Sequence, residues 1–304
     1  MNDLNINCKH KQLLKKESKF DFCKKCGCFL IISYNNKVKE IQSFSILPKK
    51  IITSQDIPPN ETMNSINKNL EMYSLRNFFN STDDIPEKYR ETRKVYIDML
   101  KEYIVEYQFS TRSFFLGIYI LDYIHIRYPY EDYIDKMKGE LLVLGAFLIA
   151  VKFIEDDAYP PGLDTFTNKS NKSLLYSMSE VRKYEVIVSM LMEFKLDHFT
   201  SYYITETLLA HGIVFTYELQ DLNLKDSKHI KEKLKKLYRL SLDINKMFVE
   251  SIHSLSFNSL EIAITSIIMS KELLQFETTW NKELELFYNI NADSLNNCYN
   301  AILK

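Results

Sequence analysis

The chain has 304 residues, 46% of them hydrophobic, and a formal net charge of -1. At roughly 100–200 residues per domain this allows two globular units with a sizeable core, and near-neutrality excludes a protein that coats nucleic acid over its whole surface. The charge is uneven: residues 1–50 hold 11 Lys and no Arg against 4 Asp or Glu, a local +7, leaving -8 for the remainder.

The start, Met1 to Lys16, is polar and basic with no apolar stretch, so no signal peptide is expected. The most apolar segment, Leu141 to Val151, falls far short of the ~20 residues a bilayer span requires. A soluble protein of the nucleus and/or cytoplasm, with no membrane partner, is the expectation. Of five cysteines, Cys8, Cys23, Cys26 and Cys28 crowd the beginning and only Cys298 lies elsewhere. In a reducing compartment such a cluster suggests metal before disulfides. Cys8-Lys-His10 and Cys23-Lys-Lys-Cys26-Gly27 form two pairs twelve residues apart. Cys8, His10, Cys23 and Cys26 supply the four donors of a tetrahedral structural zinc, and Gly27 suits a tight knuckle turn. Cys28 competes with Cys26 for the fourth place, and a tail of free thiols is the alternative. The only expected strands also lie here, around Cys28 to Ser33 and Lys39 to Ile46. A linker rich in Ser, Thr, Pro and Asn follows from Thr53 to Asn64, then a short amphipathic helix with Ile66, Leu70, Tyr73 and Phe78 near one face.

Beyond this the sequence reads as helices. The chain has only 6 Gly and 7 Pro, none of the Pro after Pro161, and no Asn-Gly or Asp-Gly pair. Val95, Met99, Tyr103 and Glu106 to Tyr107 mark the apolar side of a helix opening near Arg90. Ser113 to Ile126 gives the next, with Phe114, Ile118, Tyr119 and Leu121 at helical spacing. Leu141 to Phe153 is apolar almost all round and carries Gly145, Ala146 and Ala150, which predicts a central helix closely approached by its neighbours. Ser177-Met-Ser-Glu180 reads as a capping box opening a helix with Val181, Glu185, Val188 and Met192. Further helices are expected over Tyr202 to His211, Lys231 to Phe248, Leu260 to Leu273, Trp280 to Phe287 and Ala292 to Leu303. Two successive units of about five helices each fit the length.

Specific segments resemble the cyclin family. Thr92-Arg-Lys-Val-Tyr-Ile-Asp-Met-Leu100 is similar to the opening helix of the cyclin box, with Arg93 and Asp98 matching and Thr92, Tyr96 and Met99 departing. Tyr107 to Asp122 has the spacing of the second helix. Leu148-Ile-Ala-Val-Lys-Phe-Ile-Glu-Asp-Asp-Ala-Tyr-Pro-Pro161 follows the family pattern Leu-Ala-Ser-Lys-Phe-Glu-Glu, then Tyr-Pro-Pro. Tyr176-Ser-Met-Ser-Glu-Val-Arg-Lys-Tyr-Glu185 fits the helix whose Glu completes the box. Leu255-Ser-Phe-Asn-Ser-Leu-Glu-Ile-Ala263 sits where a second repeat would place its central helix.

The resemblance covers Arg90 to Lys304 and implies an all-α protein of two tandem five-helix cyclin folds, 90–199 and 200–304. A linker with a helix (51–89) and a small zinc-ribbon-like segment (1–50) would precede them. It implies a non-catalytic subunit that binds and activates a cyclin-dependent protein kinase in cell-cycle or transcriptional control. Lys152 and Glu185 would bond the kinase beside its mobile helix, with Phe153 and Ile154 adding apolar contact. Thr92, Tyr96 and Met99 argue against the docking patch that reads Arg-x-Leu motifs in the family. A transcription initiation factor of the B type, which also places a zinc ribbon before two cyclin folds, is the alternative. The acidic body argues against it and against nucleic acid as a partner. No phosphate-cradling Gly loop, Gly-x-Ser-x-Gly elbow or His-Glu-x-x-His helix supports an enzyme or a small-molecule substrate. His125, His198, His211, His229 and His253 lie apart and read as structural or solvated, and the Lys228 to Lys236 run as one solvated helix face.

Overall fold

A computed structural model of the chain describes residues 20–22, 28–31, 43–45, 64–66, 68–69, 85–128, 138–155, 176–211, 213–214, 227–280, 282, 284–285 and 290–303. Near the start, β1 (Phe20–Phe22), β2 (Cys28–Ile31) and β3 (Ser43–Ser45) form an antiparallel sheet in that order. Phe22 lies opposite Phe29, and Cys28 opposite Ser45. β2 and β3 fall inside the two expected stretches. β1 has no counterpart among them, because three residues are too few for alternation to register. Cys8, His10, Cys23 and Cys26 lie outside the described residues.

The body is helical: α1 (Glu87–Glu106), α2 (Thr111–Arg127), α3 (Gly139–Ile154), α4 (Met178–Leu191), α5 (Ser201–His211), α6 (Ser227–Glu250), α7 (Ser259–Leu273) and α8 (Asn296–Ile302), with 3-10 turns at Ile252–Ser256 and Ala292–Leu295. The chain divides into two compact units, one of residues 1–64, 205–244 and 264–299, the other of 65–204, 245–263 and 300–304.

In the second unit the core is built around α2 and α3. Every residue of α3 from Leu141 to Val151 is buried, as a helix apolar on all sides must be. Gly145 explains how a neighbour comes so close. A Cβ there would stand 3.1 Å from both the Tyr184 carbonyl oxygen and Val188 Cγ2, so α4 rests directly on the α3 backbone. The capping box expected at the start of α4 is formed. Ser177 accepts from the Glu180 amide, and the Glu180 side chain accepts from the Ser177 amide.

α1 corrects the sequence reading. Its buried face is Tyr89, Arg93, Ile97, Leu100 and Ile104, whereas Val95 is 56% exposed and Met99 and Tyr103 are half-buried. A periodicity argument counts Arg93 as polar and therefore rotates the apolar stripe away from it. In the fold Arg93 is fully enclosed. Its Nε and Nη2 donate to the two oxygens of Asp122 at 2.7 and 3.0 Å. Nη1 and Nη2 also donate to the carbonyls of Glu250 and Val249 at 3.0 and 2.9 Å. Tyr89 adds a 2.6 Å hydrogen bond to Asp122. Burial opposes the guanidinium charge, but Asp122 more than offsets it and raises the Arg93 pKa.

Two of the histidines are structural. His125 stacks on Tyr89 at 4.1 Å and bonds the Leu121 carbonyl, and burial lowers its pKa. His198 stacks on Tyr119 at 3.8 Å and bonds Ser259, with burial pushing its pKa down to about 3.

The first unit has its own core, including Leu208, Leu234, Leu237, Ile264, Ile267 and Phe276. It also buries polar groups with partners. Lys271 donates to the Ile213 carbonyl, Tyr238 to Glu206, and Trp280 to the Ile290 carbonyl.

Arg93→Met should cost about 3–5 kcal/mol in urea unfolding, because it strands Asp122 inside the protein. The double variant Arg93→Met with Asp122→Leu should be more stable than that single variant. If the two lose stability equally, the bond between them is not what the site depends on.

Candidate functional site

After the exposed Glu140 of its first turn, the buried α3 reaches solvent again in its last turn. Val151 is enclosed, whereas the next side chain, Lys152, is 43% exposed and Phe153 is 41% exposed. Ile154 is half-buried and packs against the core. A lysine here also meets the negative end of the helix dipole. Lys152 Nζ donates to Glu185 Oε1 on α4, and the Glu185 side chain is 19% exposed. The fold thus brings together all four residues expected at this site. The pair is close to its surface, so Lys152 and Glu185 are accessible while already joined.

The helix that carries Glu185 also exposes apolar side chains. The buried face of α4 is Val181, Val188 and the following Met192. Val186 and Met190, four residues apart on another face, are 57% and 62% exposed. Phe194 continues the four-residue step just past the helix and is 72% exposed. Its backbone is unusual: Glu193 and Phe194 have φ of 51° and 58°, the left-handed region that a bulky side chain seldom occupies. Three backbone bonds hold this turn, from the amides of Glu193, Phe194 and Lys195 to the carbonyls of Met190, Ser189 and Met192. Val186 and Met190 are surface residues that sequence reasoning passed over. Their signal was an i, i+4 apolar pair lying off the stripe set by Val181 and Val188.

The outer side of α1 is built differently. Tyr96 is half-buried, tilted against His125, and lies over Gly139, where a Cβ would come within 2.5 Å of its hydroxyl. Tyr96 therefore fills space between helices instead of opening a groove. Among the described residues no group of three or more His, Cys, Asp or Glu could hold a metal ion, and no helix is long and apolar enough to cross a membrane.

Residues 61–197 match the family described as cyclin, N-terminal domain. No curated protein sequence matches the chain. Among solved structures, a viral cyclin from herpesvirus saimiri is similar in fold, with a TM-score of 0.52 at 12% identity, over 79% of this chain and 94% of the viral one. The helical body thus resembles a cyclin fold, and the segment that carries Lys152 and Glu185 lies within the family match.

An ion pair this accessible contributes little to folding. Lys152→Ala together with Glu185→Ala should shift the urea unfolding free energy by less than about 1 kcal/mol. A larger loss would mark the pair as a structural brace.

Proposed function

We propose that the chain is a cyclin-like regulatory subunit, itself non-catalytic, that binds and activates a cyclin-dependent protein kinase in the nucleus and/or cytoplasm. The observation that carries this reading is the accessible Lys152–Glu185 pair next to the exposed Phe153, with Val186, Met190 and Phe194 exposed on and just after the helix that carries Glu185. The family match over 61–197 and the cyclin-like fold support it.

The physical task is to favour one state of a partner. An active kinase needs its mobile helix seated so that a Lys–Glu ion pair forms over the nucleotide. Reversing a 1:99 preference takes about 5.5 kcal/mol of differential affinity. Burying an apolar side chain fully is worth about 1.5–3 kcal/mol. Four side chains already roughly half covered would together supply about 3–6 kcal/mol on that scale. Hydrogen bonds from Lys152 and Glu185 to backbone groups of the partner would add specificity.

The remaining expectations belong to the same proposal. Residues 200–304, with α5, α6, α7 and α8 among their helices, are read as a second five-helix cyclin fold after the 90–199 box. Residues 1–50 are read as a zinc-binding segment with Cys8, His10, Cys23 and Cys26 as donors. In the sequence, Cys23 and Cys26 fall between β1 (Phe20–Phe22) and β2 (Cys28–Ile31). A zinc ion there would tie down a segment too small to hold a core of its own. No finding favours the B-type initiation factor.

Two experiments test these readings. The Lys152→Ala, Glu185→Ala double variant should lose capture and activation of its cyclin-dependent kinase by at least 100-fold on the order expected for a buried charged contact. Normal activation by that variant would remove this interface from consideration. Metal analysis of the purified full chain should find about one zinc per molecule, lost in Cys23→Ser. A metal-free wild type would leave the four residues as ordinary thiols and imidazole.

A further inference from the structure

The exposed last turn of α3 ends in a residue with an unusual set of partners. Glu155 follows Ile154, and its amide bonds the Val151 carbonyl at 2.9 Å, closing the helix. Its carboxylate reaches a different element. Oε1 accepts from the Ser110 amide at 2.8 Å and from the Ser113 hydroxyl at 2.6 Å. Ser110 is itself the N-cap of α2, with its hydroxyl accepting from the Ser113 amide at 3.4 Å. The carboxylate therefore sits on the first turn of α2, where unpaired amides and the positive end of the helix dipole attract a negative charge.

We infer that Glu155 is a positioning residue that latches the C-terminal turn of α3 to the start of α2 and so fixes Lys152 and Phe153 for docking. This rests on the kinase-binding reading of that face. Lys152, Phe153 and Ile154 lie between two anchors. Val151 is held by the core on one side and Glu155 by α2 on the other. The last turn of a helix frays unless something holds it. Here the holding group is four residues beyond the last enclosed backbone acceptor and one residue beyond the site. A loosened turn would spread Lys152 over several positions, and its bond to Glu185 would no longer set the angle at which Phe153 stands. The partner would then have to order the turn on binding, at a cost in affinity.

Ser113 separates positioning from direct contact. It is completely buried, so no partner can touch it, yet its hydroxyl is one of the two donors to Glu155. The test uses the full-length chain with Glu155→Ala, Glu155→Gln and Ser113→Ala, each measured for kinase affinity and for amide hydrogen exchange over residues 152–155 of the free protein. Glu155→Ala should speed exchange there about 10-fold and weaken kinase binding about 10-fold. Ser113→Ala should move both in the same direction by roughly 3-fold. Glu155→Gln keeps an acceptor oxygen and should stay within about 3-fold of wild type. Unchanged exchange in Glu155→Ala overturns the latch. So does normal affinity in Ser113→Ala beside a loss in both Glu155 variants, which would make Glu155 a direct contact. A wild-type chain that captures no cyclin-dependent kinase would sink the functional reading instead, while the exchange measurement still decides the latch.

Discussion

One buried charge organises the second unit. Arg93 sends four hydrogen bonds into two other parts of it, two to the Asp122 carboxylate on α2 and two to the carbonyls of Val249 and Glu250. Those carbonyls belong to the end of α6, where the last C=O groups of a helix have no partner within it and carry the negative end of its dipole. A planar guanidinium can serve a bidentate carboxylate and two carbonyls at once, which an ammonium cannot. The arrangement leaves little of the charge uncompensated and makes α1, α2 and the 249–250 segment mutually dependent. Tyr89 closes the cluster from the preceding turn of α1, and burial next to Asp122 pushes its pKa well above the ordinary phenol range. Apolar packing alone would tolerate helix sliding. A buried ion pair with this many directional bonds defines one register.

That register fixes where α3 emerges. With α1 and α2 locked, α3 is enclosed from Leu141 to Val151 and α4 lies against Gly145. Past Val151 the enclosure of α3 ends. Its final turn carries Lys152 and Phe153 into solvent beside α4, whose Glu185 is already within bonding reach. The internal pair keeps both charges near one another, so a partner meets a locally neutral spot next to the exposed Phe153. Such a spot is cheaper to cover than an isolated charge.

How much of this the sequence revealed depended on whether a residue obeyed its type. The all-apolar α3, the capping box at Ser177 and Glu180, and the small residue at Gly145 are local signals, and each is realised where it was expected. Arg93 broke the rule that charge faces water, and it turned the apparent apolar side of α1 towards Val95, which is exposed. Its partner Asp122 offered a clue, being the only acid in the apolar run from Ser113 to Ile126. Lys152 and Glu185 were identifiable through the family block, but composition alone says nothing of their meeting across two helices. The setting of Phe194, though not its place after the Glu185 helix, was hidden for another reason. A large exposed aromatic in a left-handed turn is set by how α4 ends, and no periodicity encodes that. Glu155 was unreadable as well, since its partners Ser110 and Ser113 lie more than forty positions earlier.

The same features bear on which partner moves in the complex proposed. Phe194 stands on a turn held by three backbone bonds, and Lys152 is joined to Glu185 before any partner arrives. Val186 and Met190 project from a helix whose start is fixed by a capping box. A surface fixed in this way loses little conformational entropy on binding, so little of the contact energy is spent on ordering it. The free energy of contact is then available to act on the partner, and it can shift a two-state element there only to the extent that one state fits the fixed surface better than the other. A flexible site would give part of that difference back by adapting to both states. Rigidity at Lys152, Phe153 and Phe194 is therefore the property that would let a non-catalytic chain control the conformation of a catalytic one.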